Sequence, residues 1–300
     1  MRLPTPPWPE LPAAQQALHP VPLRYEDIAQ DGRLMVSTLG PLYGAVAWRE
    51  LLQKAPVASA AREQGVVPIL TRLVLDGGGG PFSPSLPLDV RAGYELSHSV
   101  DERGEVARIH LEIWAEAWGP RGHAYDLLAE HGPDQHAGSV YAEHVFTRLF
   151  APPAERKVLR LALPGLPPIP PRRITPLSPG TLLSLPEGAE PLDLPDLDYP
   201  LALFSLGHTD SNQHVNSLVY PRIFEDAALR KLRSCGVNTA LLVRHVDCLF
   251  RKPFFAGEAA WIRLQVFALG NSFGAVGAFS PESEGPEGRP SVLVRLRFER

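Results

Sequence analysis

The sequence predicts an α+β protein made of two similar halves, each a central helix wrapped by one curved antiparallel sheet. Three observations predict it. Each half holds one apolar stripe at helical spacing, followed by several long runs that read as strands. Within one run, Ala107, Ile109, Leu111, Ile113, Ala115 and Ala117 alternate with Arg108, His110, Glu112, Trp114, Glu116 and Trp118, the period of a half-buried antiparallel strand. Between the halves lies a stretch with eleven prolines from Pro164 to Pro200 and little periodicity. Burying each stripe inside its own sheet is the simplest way to give both elements one core.

Residues 1–20 read as a loose proline-rich arm. The first half, 21–163, opens with a strand segment over 21–40. Arg24-Tyr25-Glu26 leads to a turn at Asp31-Gly32, Leu34-Met35-Val36 continues it, and Gly40-Pro41 breaks it. Ala45, Val46, Trp48, Leu51, Leu52 and Ala55 then form the helical stripe, interrupted by Pro56, with Gly65 as the stop. Strands follow at 67–75, 88–99 and 107–118, with a turn at 101–104. Residues 119–138 read as loop with one turn of helix, and 140–150 and 158–163 as the last strands. Residues 164–199 cannot supply backbone donors regularly and read as an extended linker, anchored by Leu177, Leu182, Leu183 and Leu185. The second half, 200–300, begins with a strand at 201–206. A helix follows from Leu218 to about Arg233, stopped by Gly236, with Val219, Ile223 and Ala227 on one stripe and Phe224, Ala228 and Leu232 beside it. Strands are expected at 240–250, 259–269, 273–280 and 291–299.

Composition narrows the function. The chain has 300 residues, 44% hydrophobic and 21% charged, enough apolar surface for a sizeable core. The net charge of -4 and the lack of a basic stripe argue against nucleic acid as a partner. No apolar run approaches the ~18 residues of a membrane span, and Met1 to Pro20 lacks the plan of a signal peptide. With only Cys235 and Cys248, a disulfide framework is not indicated, and a reducing cytoplasm is the expected compartment.

Chemistry concentrates in Asp210-Ser211-Asn212-Gln213-His214-Val215-Asn216, between the strand at 201–206 and the second helix. There backbone amides point outward and favour negative charge. His214 or Asp210 can activate a water, Asn212 can orient it, and amides near Asn216 to Val219 can hold an oxyanion. The plainer alternative is that Asp210 and Asn212 make turn hydrogen bonds and that Asn216 or Ser217 caps the helix.

The run Asp210-x-Asn212-x-His214-Val215-Asn216-x-x-x-Tyr220 resembles the loop-to-helix signature of the hotdog-fold thioesterases. Glu225 falls at that superfamily's acidic helix position. Phe250-x-x-Pro253 followed by Gly257-Glu258 resembles its strand-to-strand motif. Two such halves, with the signature only in the second, are similar to the acyl-acyl-carrier-protein thioesterases, and Arg24-Tyr25-Glu26 resembles the start of their first half. The resemblance implies a double hotdog that hydrolyses acyl-carrier-protein or acyl-coenzyme A thioesters, with no cofactor and no metal. Asp210, Asn212 and His214 take the catalytic positions, and Val215, Asn216, Tyr220 and Glu225 the oxyanion and substrate-binding ones. The family's further acid falls at Pro253 by one matching and at Asp247, beside Cys248, by another. His208 stands where an acid often opens the motif. The runner-up is a non-hydrolytic acyl-binding or biosynthetic protein of dehydratase or acyl-transfer type. A monomer and a homodimer both suit the sequence, since two fused halves form within one chain what single-hotdog relatives form by dimerising.

Other motifs carry less. His208, His214, His245 and Asp247 lack the close spacing of zinc ligands. Gly270-Asn271-Ser272-Phe273-Gly274 matches a serine-hydrolase elbow, but a strand rather than a helix follows it. Cys248 reads as core. The four glycines 77–80 lack the Lys-Ser/Thr of a phosphate loop. Trp114 and Trp118, on the polar face of their strand, either cover a helix or line a partner surface.

Overall fold

The computed structural model describes residues 5–123, 132–163, 165–192 and 200–300. Its strands are β1 (Gln16–Val21), β2 (Val67–Gly77), β3 (Leu88–Val100), β4 (Val106–Pro120), β5 (Asp134–Thr147), β6 (Arg172–Arg173), β7 (Glu190–Pro191), β8 (Leu201–Leu203), β9 (Leu242–Phe250), β10 (Ala259–Leu269), β11 (Ser272–Pro281) and β12 (Val292–Glu299). Its α-helices are α1 (Val36–Tyr43), which runs on as a π-helix over Gly44–Leu52, then α2 (Pro56–Glu63), α3 (Pro179–Leu183) and α4 (Val219–Ser234). Among the described residues all strands join one sheet, ordered β1-β3-β4-β5-β2-β9-β12-β11-β10-β7, with β6 beside β3 and β8 beside β10. The β2–β9 pair fuses the halves edge to edge, with Val74 opposite Asp247. Each half thus closes the exposed edge of the other.

Each half wraps its helix. In α4, Tyr220, Phe224, Ala227, Ala228 and Leu232 are buried. They pack in one core with Val246, Cys248, Phe279 and Val294 of the surrounding strands. Burying a side chain of Phe224's size contributes about 2–3 kcal/mol. In the first half Leu39, Leu42, Val46 and Leu51 pack against Ile109, Leu111, Ile113 and Ala142. The helices meet across the seam where Gly40 of α1 approaches Leu218. A Cβ there would lie 2.7 Å from the leucine Cδ1, so glycine permits the contact.

Several expectations change. Residues 21–40 are not a strand. They form a 3-10 turn (Tyr25–Asp27), a tight loop closed by an Ile28–Leu34 bridge, and the start of α1. The helix runs through Gly40-Pro41, since a proline there omits one donor while tertiary packing holds the rest. Residues 158–163 contribute one isolated bridge, Leu163 to Leu166, and no strand. The outer face of β4 is more buried than alternation implies: His110, Glu112 and Trp114 are at most 2% exposed. The arm covers this face, with Trp8 packing on Val74, Trp114 and Tyr141, and Arg172 Nε donates to Glu112 Oε2 at 2.9 Å. Trp118 is half exposed beside the His136 ring. Nor is the arm loose throughout, since Gln16–Val21 pair with β3.

The linker leucines do anchor it. Leu182, flanked by Leu177 and Leu183, packs on Leu249, Ala278 and Leu293, and Leu185 packs by Phe267. Arg295 Nη2 donates to the carbonyls of Thr181 and Ser184 at 2.8 and 2.7 Å. Residues 119–138 are not all loop, since β4 runs on to Pro120 and β5 begins at Asp134; of the stretch between them, 124–131 lie outside the described residues.

Candidate active site

The polar loop is a tight turn built by its own backbone. Thr209 and Val215 form a bridge, the Asp210 N–H donates to the His214 carbonyl at 3.1 Å, and the Gln213 N–H donates to the Asp210 carbonyl at 2.9 Å. Gln213 takes a left-handed φ of 65° to complete the reversal. The segment after Phe250 clamps the loop. The Phe254 carbonyl accepts from the Val215 N–H at 2.8 Å, and the Phe254 N–H donates to the buried Tyr220 hydroxyl at 3.3 Å. Burial pushes that hydroxyl's pKa up to about 12. Glu258 Oε2 accepts from the Phe255 N–H at 2.9 Å. The aromatic-proline and glycine-acid segment therefore serves the loop as a brace.

The structure sorts the expected residues. Asp210, Asn212 and His214 share the turn. Asp210 Oδ1 accepts from the Asn212 N–H at 2.9 Å, and Oδ2 accepts from Asn216 Nδ2 at 3.3 Å. The Asn212 side chain is exposed and His214 half-buried, its ring edge-on to Phe255 at 5.1 Å. His208 Nδ1 accepts from the Ser205 N–H at 3.2 Å. Asn216 caps the helix, its Oδ1 accepting from the Leu218 N–H at 2.9 Å. The plainer alternative for Asp210 and Asn216 is thus realised alongside whatever chemistry they perform.

The amides of Val215 and Asn216 are not oxyanion donors, because the first is bonded to Phe254 and the second to the His208 carbonyl at 2.9 Å. Leu218 and Val219 are likewise bonded to Asn216. Among the described residues Ser217 keeps the one first-turn amide of this loop with no hydrogen bond, a donor that sequence reasoning bracketed only as a range. Its availability depends on which neighbours the cap consumes, and no motif encodes that.

Asp247 does not join the loop. Val246 and Cys248 point into the helix-side core, so strand alternation sends Asp247 to the outer face. There Arg72 holds it through two hydrogen bonds of 3.0 and 2.7 Å. Pro253 has no acid to offer, so neither matching supplies the further acid. His245 also faces outward, 3.3 Å from Asp76, and among the described residues no three His, Cys, Asp or Glu side chains form a group that could hold a metal ion. Cys248 is fully buried. Ser272 sits in the β10–β11 hairpin and donates to the Leu269 carbonyl at 2.8 Å.

Glu225 lies within α4, after the polar loop in the chain. With Leu218, Pro221 and Arg222 it forms the stripe of α4 facing the first half, and it lines a cavity of about 50 Å³ at the seam. Burial, and secondarily Asp226, raises its pKa to about 7 against the opposing pull of Arg222.

No protein-family model matches the sequence, and no curated protein sequence does. Solved structures do match along the whole chain. An acyl-ACP thioesterase from Bacteroides thetaiotaomicron is 13% identical, with a TM-score of 0.55 over 95% of this chain and 98% of its own. A protein assigned as an oleoyl thioesterase from Lactobacillus plantarum is 12% identical, with a TM-score of 0.51 over 95% of each chain. The likeness at this identity is one of fold: the chain is a double hotdog, two helix-in-sheet halves fused through β2 and β9.

Proposed function

We propose that the chain hydrolyses acyl thioesters of coenzyme A or of an acyl-carrier protein to free acid and thiol, as an enzyme of the reducing cytoplasm that needs no cofactor. The observation that carries this reading is the acid-amide-imidazole turn at the head of α4, present in only one half of a duplicated fold. Two proteins of the same fold that carry thioesterase designations support it. In this reading the catalytic half is 200–300 and the first half shapes the acyl site. His214, whose ring nitrogens have no hydrogen bond among the described residues, takes a proton from water. Asp210 and Asn212 fix the turn that aims it, and the Ser217 amide faces the developing oxyanion. The water oxygen bonds to the thioester carbon, the C–S bond breaks, and the proton passes to the leaving thiolate.

Asp210→Ala and His214→Ala should each lower kcat/KM on acyl thioesters at least about 100-fold, read as free-thiol release. Full activity in either variant would overturn the assignment. A second reading, acyl binding without turnover, is favoured by one observation: both Asp210 oxygens are already engaged in the turn. Tight binding of acyl thioesters without thiol release across acetyl- to palmitoyl-coenzyme A would select it.

A further inference from the structure

A second cavity lies on the outer face of the first half's sheet, under the proline-rich arm. Its volume is about 360 Å³, within the roughly 300–1,000 Å³ of small-molecule sites. One row across three strands supplies its acids. Asp76 of β2 pairs with Ser139 of β5, and Ser139 pairs with Glu116 of β4. Directly paired side chains share a face, so the two carboxylates stand two strand spacings apart, about 10 Å. Trp114 and residues 5–8 of the arm also line the cavity. The arm is seated there by packing. Trp8 rests on Val74, Trp114 and Tyr141. Gly93 of β3 makes room for it, since a Cβ there would lie 2.5 Å from Leu11 Cδ1 and 3.0 Å from Trp8 Cζ2.

Several polar groups of the lining are left over. Thr5 Oγ1, Trp8 Nε1 and Trp114 Nε1 are buried without a hydrogen-bond partner, and Trp114 is only 2% exposed. An indole N–H can only donate, so both rings call for an acceptor. Glu116 makes no hydrogen bond or ion pair among the described residues. The cations nearby are engaged elsewhere. Arg91 stacks on the Trp8 ring at 4.5 Å and its Nε donates to Gln16 Oε1 at 3.0 Å. Arg172 is held by Glu112. Arg297 Nη2 and His245 Nδ1 lie 3.8 and 3.3 Å from Asp76 Oδ1. Asp76 therefore has positive charge beside it, and Glu116 is the open acid. A carboxylate beside two indoles suits an ammonium group, which a ring face and a negative charge both attract. The unbonded N–H groups suit an oxygen on the same ligand.

We propose that this cavity binds a small free ammonium compound carrying a hydroxyl or carbonyl oxygen, with Glu116 as its counter-ion and the indoles of Trp8 and Trp114 as its aromatic wall and hydrogen-bond donors. The site lies on the first half and the acid-amide-imidazole turn on the second, so the inference goes beyond the proposed function and does not depend on it.

The test uses the full chain and choline, with dimethylbutanol as the uncharged carbon isostere and tetramethylammonium as the cation without an oxygen. Isothermal titration calorimetry should give saturable binding of choline with one site per chain, and the isostere should bind at least about 10-fold more weakly. Glu116→Gln should weaken choline at least about 10-fold while the ligand-free melting temperature stays near the wild type's. Trp114→Phe keeps a ring and loses the N–H, so it should weaken choline more than tetramethylammonium. Choline should bind Asp210→Ala as it binds the wild type, whatever becomes of thioester turnover. No binding of choline, equal binding of the isostere, or wild-type affinity in Glu116→Gln would overturn the site and leave the proposed function standing.

Discussion

Two loops of this molecule have one backbone and different side chains. The turn before α1 and the turn before α4 close with the same hydrogen bonds, reverse at the same point and deliver the chain into a helix at the seam. The second spends a carboxylate, a carboxamide and a helix cap on itself, through Asp210 and Asn216. The first puts a different acid to structural use: Asp27 accepts from the Arg24 N–H at 2.8 Å and from Thr38 Oγ1 at 3.2 Å. Polar residues at a helix head are thus as much the means of building the turn as the means of catalysis. What separates the loops chemically is which amides and acids are left over once the turn is built.

The seam that places the loops against each other gives the largest expected effect. Asp247→Ala would leave Arg72 buried without its partner and should destabilise the chain by about 3–5 kcal/mol, read from urea unfolding. Well below the melting transition the variant should keep its thioester turnover, which a direct catalytic part for Asp247 would forbid.

Exchange of residues between the loops sharpens the comparison. Gly32→Gln imports the second loop's residue into the first. It adds a Cβ 2.5 Å from the Pro81 Cβ at a left-handed φ, and should cost about 3 kcal/mol. An unchanged melting temperature would show that the two turns are interchangeable.

Much of this was legible in the residues. The α4 stripe and the runs that become β4, β9, β10, β11 and β12 follow local periodicity or composition, and the structure places these elements within a few residues of the expected bounds. The first turn was not legible, because Ile28 and Leu34 bridge through a loop that looks like a strand when read alone, and only α1 packed in its sheet carries the helix past Pro41. Asp247 was misplaced for a related reason. Its face is fixed by strand register, and its partner Arg72 lies in the other half of the sequence. The likeness of the two loops was also hidden, since Asp210, His214 and Asn216 face Ala29, Arg33 and Met35, and the repeat resides in backbone bonds that residue types do not reveal.

Asn216→Met imports the first loop's residue into the second. It removes the acceptor for the Leu218 N–H and the donor to Asp210 Oδ2, and should cost about 1 kcal/mol, measurable as a lowered denaturant midpoint. It also frees the Leu218 amide, so this small loss tests whether the cap or the open amide matters more to turnover.

The smallest effect should be a gain. Gln213 holds a left-handed φ of 65°, which costs a residue with a Cβ about 1 kcal/mol, and the corresponding Gly32 holds 82° at no such cost. Gln213→Gly removes that strain, but it also frees the unfolded chain, which takes back part of the gain. A rise of about 0.5 kcal/mol is expected, with catalysis unchanged if Gln213 serves only the turn. A fall in kcat/KM at raised stability would mean instead that the strained residue positions its neighbour His214, and that the second loop departs from the first in conformational cost as well as in side chains.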